Sequence, residues 1–408
     1  MGLLYLLAHI DRGNIGNAKI EGMDKDLGLT GNQYNIASTI FFVPYIIFEI
    51  PSNIVLKKAG FFPGAVYIVT TWYPRHELQQ RLAIFYTASA FSGALSGLLA
   101  FGIARMDGVR GIEGWRWIFL IEGAVTIAAG LAMPFLILDT PEKAKWLSED
   151  EKRFIDLRLR LSGVRSQTQE GDKLSWRLLF QTMTDWKIGL GILLAWANSV
   201  PNAAFKFTMP QIIKQLGFPT ATAQLLTIPP YFCGGVAAWV TGRMSDKFTW
   251  RMPFIAGPMA VLAIALGLLF HYSADVANNV PAMYVGVVLA QIGIYPLLPG
   301  ITAWIGNNLA PSWKRSIGIA WLLAAGNLGS LIGTNIFLDK EGPQYPTGYG
   351  TSLGIICLGL MAAFALEFFL WSLNKKKAQL SEAEIRQQYS QEQLDRMGEK
   401  SPLYQYTL

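Results

Sequence analysis

The sequence predicts an all-α polytopic membrane protein, and three observations carry that prediction. Charge is scarce: 15% of the 408 residues are charged and 52% are hydrophobic, where a soluble domain is about 25% charged. The charges gather in short clusters, and the stretches between them are long, apolar and nearly charge-free; a helix needs roughly 20 such residues to cross about 30 Å of hydrocarbon. The runs are continuous rather than alternating, which excludes a transmembrane β-barrel. The mean hydropathy of +0.31 agrees.

Taken in order, the first apolar run is short and ends at Asp11 and Arg12. Residues 34–56 form a second run with one acid, Glu49, inside it. The stretch "LKKAGFFPG" (56–64) joins this run without a linker to a third, residues 59–73. Fifteen residues make only about 22 Å of helix at 1.5 Å per residue. Both flanks of that run are basic, with Lys57 and Lys58 before it and Arg75 and Arg81 after it, so it is not expected to cross. Runs 82–104 and 117–138 are of full length.

A charged middle stretch, 139–185, follows. Within it "SEDEKRFIDLRLRL" reads as a solvated amphipathic helix in which Ser148 caps and Glu151 closes the capping box. Six further runs follow: 188–205, 222–242, 252–270, 281–304, 316–338 and 350–373. The tail from Asn374 is polar and expected to be a helix without chemistry. The expected organisation is an N-terminal bundle over 1–138, a middle loop over 139–185, a six-helix bundle over 186–373 and a tail over 374–408. A hydrophobic half, a large loop and six helices is the plan of a transporter built from two repeats. The first half spans 138 positions and the second 188, while a helix with its loop takes roughly 25–30 residues. The N-terminal bundle is therefore expected to be incomplete.

The net charge of +6 would suggest nucleic acid in a soluble protein, but here position matters more than sum, and no nucleic-acid partner is expected. Of 34 lysines and arginines, 25 fall in alternate loops. By the excess of Lys and Arg in cytoplasmic loops, these clusters and the tail are expected to face the cytoplasm. Cys233 and Cys357 sit in apolar runs and read as small buried hydrophobes. Met1 leads straight into "LLYLLAHI" without a basic leader, so no cleavable signal peptide is expected.

Charged and polar groups inside apolar runs are candidates for function because they are costly there unless paired or facing water. Asp11 and Arg12 read equally as such a pair and as solvated charges of an outer loop. Glu49 reads as a structural acid near the membrane interface or as a proton-coupling group. Glu122 in "GWRWIFLIEGAV" has the same two readings, with Arg116 as an interfacial anchor. Lys206 in "NAAFKFTMP" either attracts an anion or snorkels toward the outer face. Asn327 in "AAGNLGSLIG" either reads a substrate or bonds a neighbouring helix, and Gly329 with Gly333 is a small-residue packing pair. Gly93 and Gly97 read as packing residues. His9, His76 and His271 lie near segment ends, so no metal site is expected. No nucleotide-binding loop or catalytic triad is seen, so neither a cofactor nor an enzymatic activity is expected.

The loop "GRMSDKFTWR" (242–251) resembles the loop signature of the major facilitator superfamily, with Gly242, Asp246, Lys247 and Arg251 in register. The order of "IDRGNIGNA" (10–18), "FEIPSN" (48–53), "AGFFPGAVYIVTTWYPRHE" (59–77), "GWRWIFLIEG" (114–123), "LLTIPPY" (225–231) and "EGPQYPTGY" (341–349) is similar to the fungal allantoate/nicotinate/pantothenate permease group, within the anion:cation symporters. The resemblance covers nearly the whole chain. It implies the major facilitator fold of two helical bundles, both ends cytoplasmic, in the plasma membrane. It also implies a monomer that imports a small organic anion, such as a vitamin carboxylate or an allantoate-like compound, together with protons. Against that family, residues 34–56 match the second helix and 59–73 only the second half of the fourth; the third helix and the start of the fourth have no counterpart. The resemblance gives Arg12 the substrate carboxylate, which a guanidinium fork suits, and Asp11 the coupling proton. Lys206 and Asn327 are further substrate candidates and Glu49 a further proton-coupling candidate. The Arg and Glu that the family carries just before "AGFFPG" are absent, since Lys58 stands there. A transport-inactive truncated relative or a membrane sensor is the alternative.

Overall fold

A computed structural model describes residues 2–40, 72, 75–136, 144, 146–161, 176–248, 250–310, 312–379, 382–390, 393–394 and 397–408. Glu49, the run 59–73 and the junction at Lys58 and Ala59 lie outside them. The regular elements among the described residues are all helical. Six of these helices are long and apolar enough to cross a membrane: Thr87–Ala104, Gly114–Ala132, Trp186–Gln215, Pro253–Asp275, Val280–Asn307 and Pro346–Lys377.

The chain forms two compact units. The first comprises Met1–Lys173 and Phe205–Trp239. It opens with α1 (Gly2–Ala18), followed by a π-helical turn, Lys19–Met23, in which Gly22 takes φ 98°, and by α2 (Gln33–Ile40). Then come α3 (Arg75–Ala104), α4 (Gly114–Leu136) and α5 (Glu149–Leu161). At the start of α5 the capping box forms as expected: the Ser148 N–H donates to Glu151 at 2.9 Å, and the Glu151 N–H donates back to the Ser148 hydroxyl at 3.3 Å. These bonds hold the Glu151 carboxyl below the usual glutamate range. The α3–α4 corner is fixed by the Gly114 N–H donating to Asp107 at 2.8 Å. Arg116 pairs with Asp26 and Glu113, both at 2.8 Å, and so anchors the start of α4.

Small residues set the helix spacing in this unit. A Cβ on Gly97 of α3 would stand 2.7 Å from the Gln224 carbonyl and closer still to the Thr227 hydroxyl. The backbones can approach there only because the side chain is missing. Gly93 lies one turn earlier against the Tyr231 ring.

The second unit comprises Leu174–Ala204 and Val240–Leu408. It holds α6 (Trp176–Met183), the first part of α7 (Trp186–Gln215) and the end of α8 (Ile228–Phe248). It continues with α9 (Pro253–Tyr272), α10 (Val280–Ile294), α11 (Leu297–Asn307), α12 (Ser312–Gly333), α13 (Pro346–Lys377) and α14 (Glu382–Gln388). The run 281–304, expected as one helix, is broken between α10 and α11. Pro296 and Pro299 remove two backbone donors there, and the Asn198 amide supplies one, donating to the Ile294 carbonyl at 2.8 Å. The run 222–242 is likewise divided, into a short helix Thr220–Leu225 and α8.

The tail departs furthest from expectation. Among the described residues α14 is followed by a strap, the last eleven residues, which packs against the helix ends of its own unit. Glu399 bridges Lys187 at 2.6 Å and Lys314 at 2.5 Å, and Lys314 also reaches Asp185 at 2.5 Å. Lys377 donates to the carbonyls of Glu399, Ser401 and Tyr404 at 2.7, 3.0 and 3.0 Å. Asn374 exchanges two hydrogen bonds with the Tyr406 backbone, and Asn308 two with that of Thr407. Trp304, fully buried, donates to the Thr407 carbonyl at 3.0 Å. Burial pushes the Tyr404 hydroxyl up to about 12.

Candidate functional site

The candidate site in the first unit is built on α1. Asp11 and Arg12 do not end this helix, which continues to Ala18, and both are partly buried. The reading of the two as loop charges is thereby corrected. The helix continues because its polar residues find partners on neighbouring helices. The Asn17 amide donates to the Ser96 hydroxyl of α3 at 2.9 Å, and Ser96 donates to Asn14 Oδ1 at 3.4 Å. Gly13 leaves room for this, since a Cβ on it would come 3.0 Å from Ser96 Oγ.

Toward α4, Asp11 lies beside the Thr126 side chain and Asn14 beside Glu122, while Ile15 and Trp115 pack on the cluster around Ala18. As numbers rise on α1 they fall on α4, so the two helices run antiparallel and a polar seam follows their contact. Residues 11, 14 and 17 recur at a spacing of three, and 122 and 126 at four, which places each set on one helix face.

Another face of α1 meets the end of α7 that belongs to this unit. A Cβ on Gly16 would be 2.9 Å from the Phe207 carbonyl and 3.5 Å from that of Lys206. The Tyr34 hydroxyl donates to the Phe207 carbonyl at 3.1 Å, and the Lys19 ammonium sits 3.8 Å from the centre of the Tyr34 ring. Lys214 donates to the Ile20 carbonyl at 2.8 Å, and the Gln224 amide to Glu21 at 2.8 Å. Arg12, one turn before Gly16, comes within electrostatic reach of Lys206. Two basic side chains near each other inside apolar helices make an anion a favourable neighbour.

In the second unit, Asn327 is partly buried on α12. The two carbonyls before it are engaged from α7: Trp196 donates to Ala325 at 2.8 Å and Ser199 to Gly326 at 2.7 Å. Gly329 and Gly333 pack directly on Ser199 and on the Val200 backbone. The loop motif forms a clasp, in which Arg251 donates to Asp246 at 2.6 Å and to Ser245 at 2.9 Å. Gly242 lies on α8 ahead of it, and Lys247 is exposed.

The structure thus gathers Asp11, Arg12 and Lys206 in one unit. Asn14, Asn17, Ser96 and Thr126 were not anticipated; the i, i+3 spacing of Asp11, Asn14 and Asn17 is the signal that would have found the first two.

A family model described as Major Facilitator Superfamily matches residues 56–197. The MFS-type transporter cnsO of Penicillium expansum is 32% identical, over 100% of this chain and 88% of that protein. That alignment runs to 460 positions, 52 more than the 408 residues of this chain. An uncharacterized transporter of Schizosaccharomyces pombe is 30% identical over 92% of this chain and 82% of its own length. Among solved structures, the partially occluded inward-open conformation of the xylose transporter XylE from E. coli superposes with a TM-score of 0.61 at 15% identity, covering 91% of this chain and 96% of that one.

Proposed function

Because this chain belongs to the major facilitator superfamily and is a membrane transporter, we propose that it imports a small organic anion, a carboxylate of the vitamin or allantoate kind, by proton-coupled alternating access. The observation that carries the substrate class is the nearness of Arg12 and Lys206. In this reading the Arg12 fork takes the carboxylate and Lys206 adds a second positive charge. Asn327 reads polar groups elsewhere on the substrate. Asp11, adjacent to Arg12, exchanges a proton as the carboxylate arrives or leaves, and Glu49 is a second candidate for that work. The Arg251–Asp246 clasp supports a structural role for the loop motif. The protein acts in the plasma membrane, as a monomer, with its tail in the cytoplasm.

The test is uptake of labelled nicotinate, pantothenate and allantoate into vesicles, with and without a proton gradient. Accumulation of one of them is expected only with the gradient. A correctly inserted protein that accumulates none would sink the reading and favour a transport-inactive relative or a sensor. Arg12→Ala should abolish uptake; unchanged affinity would remove Arg12 from the carboxylate site.

A further inference from the structure

Glu122 is 5% exposed, and neither of its carboxylate oxygens has a hydrogen-bond partner among the described residues. It sits eight residues into α4, within the apolar span Gly114–Ala132. Arg116, the basic residue nearest in sequence, is engaged with Asp26 and Glu113 and does not neutralise it. A buried side-chain anion without a partner is expensive in any protein interior and more so within a membrane span. The side-chain donor set beside it is the neutral Asn14 amide, which carries no charge to balance a carboxylate.

Among the described residues, the groups facing it come from α1, α3 and the turn Lys19–Met23. From α1, Asp11 lies within electrostatic reach and Asn14 lies alongside, with the Asn14 carbonyl oxygen already accepting from Ser96. The span Thr87–Ala104 of α3 contains no titratable side chain. The turn Lys19–Met23 carries Lys19, set over the Tyr34 ring, and Glu21, bound by Gln224. Among the described residues Glu122 therefore faces one other carboxyl, Asp11, on the adjacent helix. Arg12 follows Asp11 on α1, and two such carboxyls are least costly with one proton between them.

We infer that Glu122 is a proton-carrying group of this transporter, working with Asp11 across the α1–α4 seam. A proton from the aqueous phase binds a Glu122 carboxylate oxygen, giving the neutral acid, and leaves the same oxygen when the seam is next wetted. No bond other than O–H forms or breaks. The inference rests on the proton-coupled reading above and names a carrier that reading did not include.

The full chain, reconstituted in liposomes, provides two readouts. In pH-difference infrared spectra the wild type should show a protonated-carboxyl band that shifts in heavy water. The band should vanish in Glu122→Gln and persist, displaced, in Glu122→Asp. In transport, Glu122→Gln should lose gradient-driven accumulation of labelled nicotinate, pantothenate or allantoate, whichever the wild type carries. It should still exchange labelled for unlabelled acid across the membrane, which a merely misfolded protein would not. An undiminished band in Glu122→Gln, or wild-type accumulation by that variant, overturns the inference. Should Glu122→Gln not fold, Asp11→Asn is read on the same band, which must move; an unmoved band overturns it equally. If the wild type accumulates none of the three acids, the carboxylate reading fails while the infrared result still decides the role of Glu122.

Discussion

Replacing Glu399 by Gln keeps the shape of the strap and removes one charge from its centre. Lys187, Lys314, Asp185 and Glu399 form a balanced group of two cations and two anions, with side chains 3, 15, 8 and 10% exposed. Without the Glu399 charge, two ammonium groups share Asp185 in a site nearly closed to water. Breaking a buried pair by removing one partner costs about 3–5 kcal/mol. The glutamine carbonyl still accepts one bond, and the backbone bonds through Asn308 and Asn374 are untouched, so the lower end applies. At 1.4 kcal/mol per tenfold, about 3 kcal/mol is roughly a 100-fold shift in strap docking. Hydrogen exchange on the full chain in detergent should show the Tyr406 and Thr407 amides exchanging about 100-fold faster in Glu399→Gln. Adding Lys314→Met restores neutrality and should recover most of the protection. Exchange within a few-fold of wild type in Glu399→Gln would refute the charge-balance reasoning, as would failure of Lys314→Met to rescue.

Burial pulls the Lys314 ammonium down, but its bonds to Asp185 and Glu399 prevail and hold it above the ordinary lysine value. Its contribution is therefore complete below about pH 10.4 and lost only as pH rises through the elevated folded value. The anisotropy of a dye on Gln405→Cys, in a background lacking Cys233 and Cys357, should fall as pH rises beyond about 10.4; an anisotropy unchanged through that range would contradict it. Gly97→Ala should destabilise the protein by about 3 kcal/mol through overpacking, while Gly102→Ala, where a Cβ meets nothing within 4 Å among the described residues, should not, as thermal unfolding in detergent will report. Asn198→Leu leaves the Ile294 carbonyl unpaired at the α10–α11 break and should cost about 1–3 kcal/mol in the same assay.

The apolar runs located the spans because crossing a bilayer constrains length and composition locally. Local constraints are what a sequence displays. The capping box at Ser148 and Glu151 was legible for the same reason, being made within one turn. The end of α1 was left open between two readings because two charges normally close an apolar run. Here the run goes on, since Asn14 and Asn17 are bonded by Ser96, about 80 positions away. The setting of Glu122 required knowing that Asn14 and Asp11 lie opposite it across more than 100 residues. The glycines were read correctly as packing residues, but that Gly16 meets Phe207 was not, because a glycine advertises room and not its occupant. The strap was missed outright: its lysines and glutamate look like any solvated charges until the fold brings them together.

Lys187 and Glu399 stand 212 positions apart, which gives their pairing a place in time. At about 5–20 residues per second, the ribosome delivers Glu399 on the order of 10–40 s after Lys187. Over that interval the helices of the second unit must be inserted while Lys187 and Lys314 have only Asp185 to answer them. The unit is thus left electrically unfinished until Glu399 emerges, and a chain interrupted before it would present an unbalanced basic pair at its helix ends.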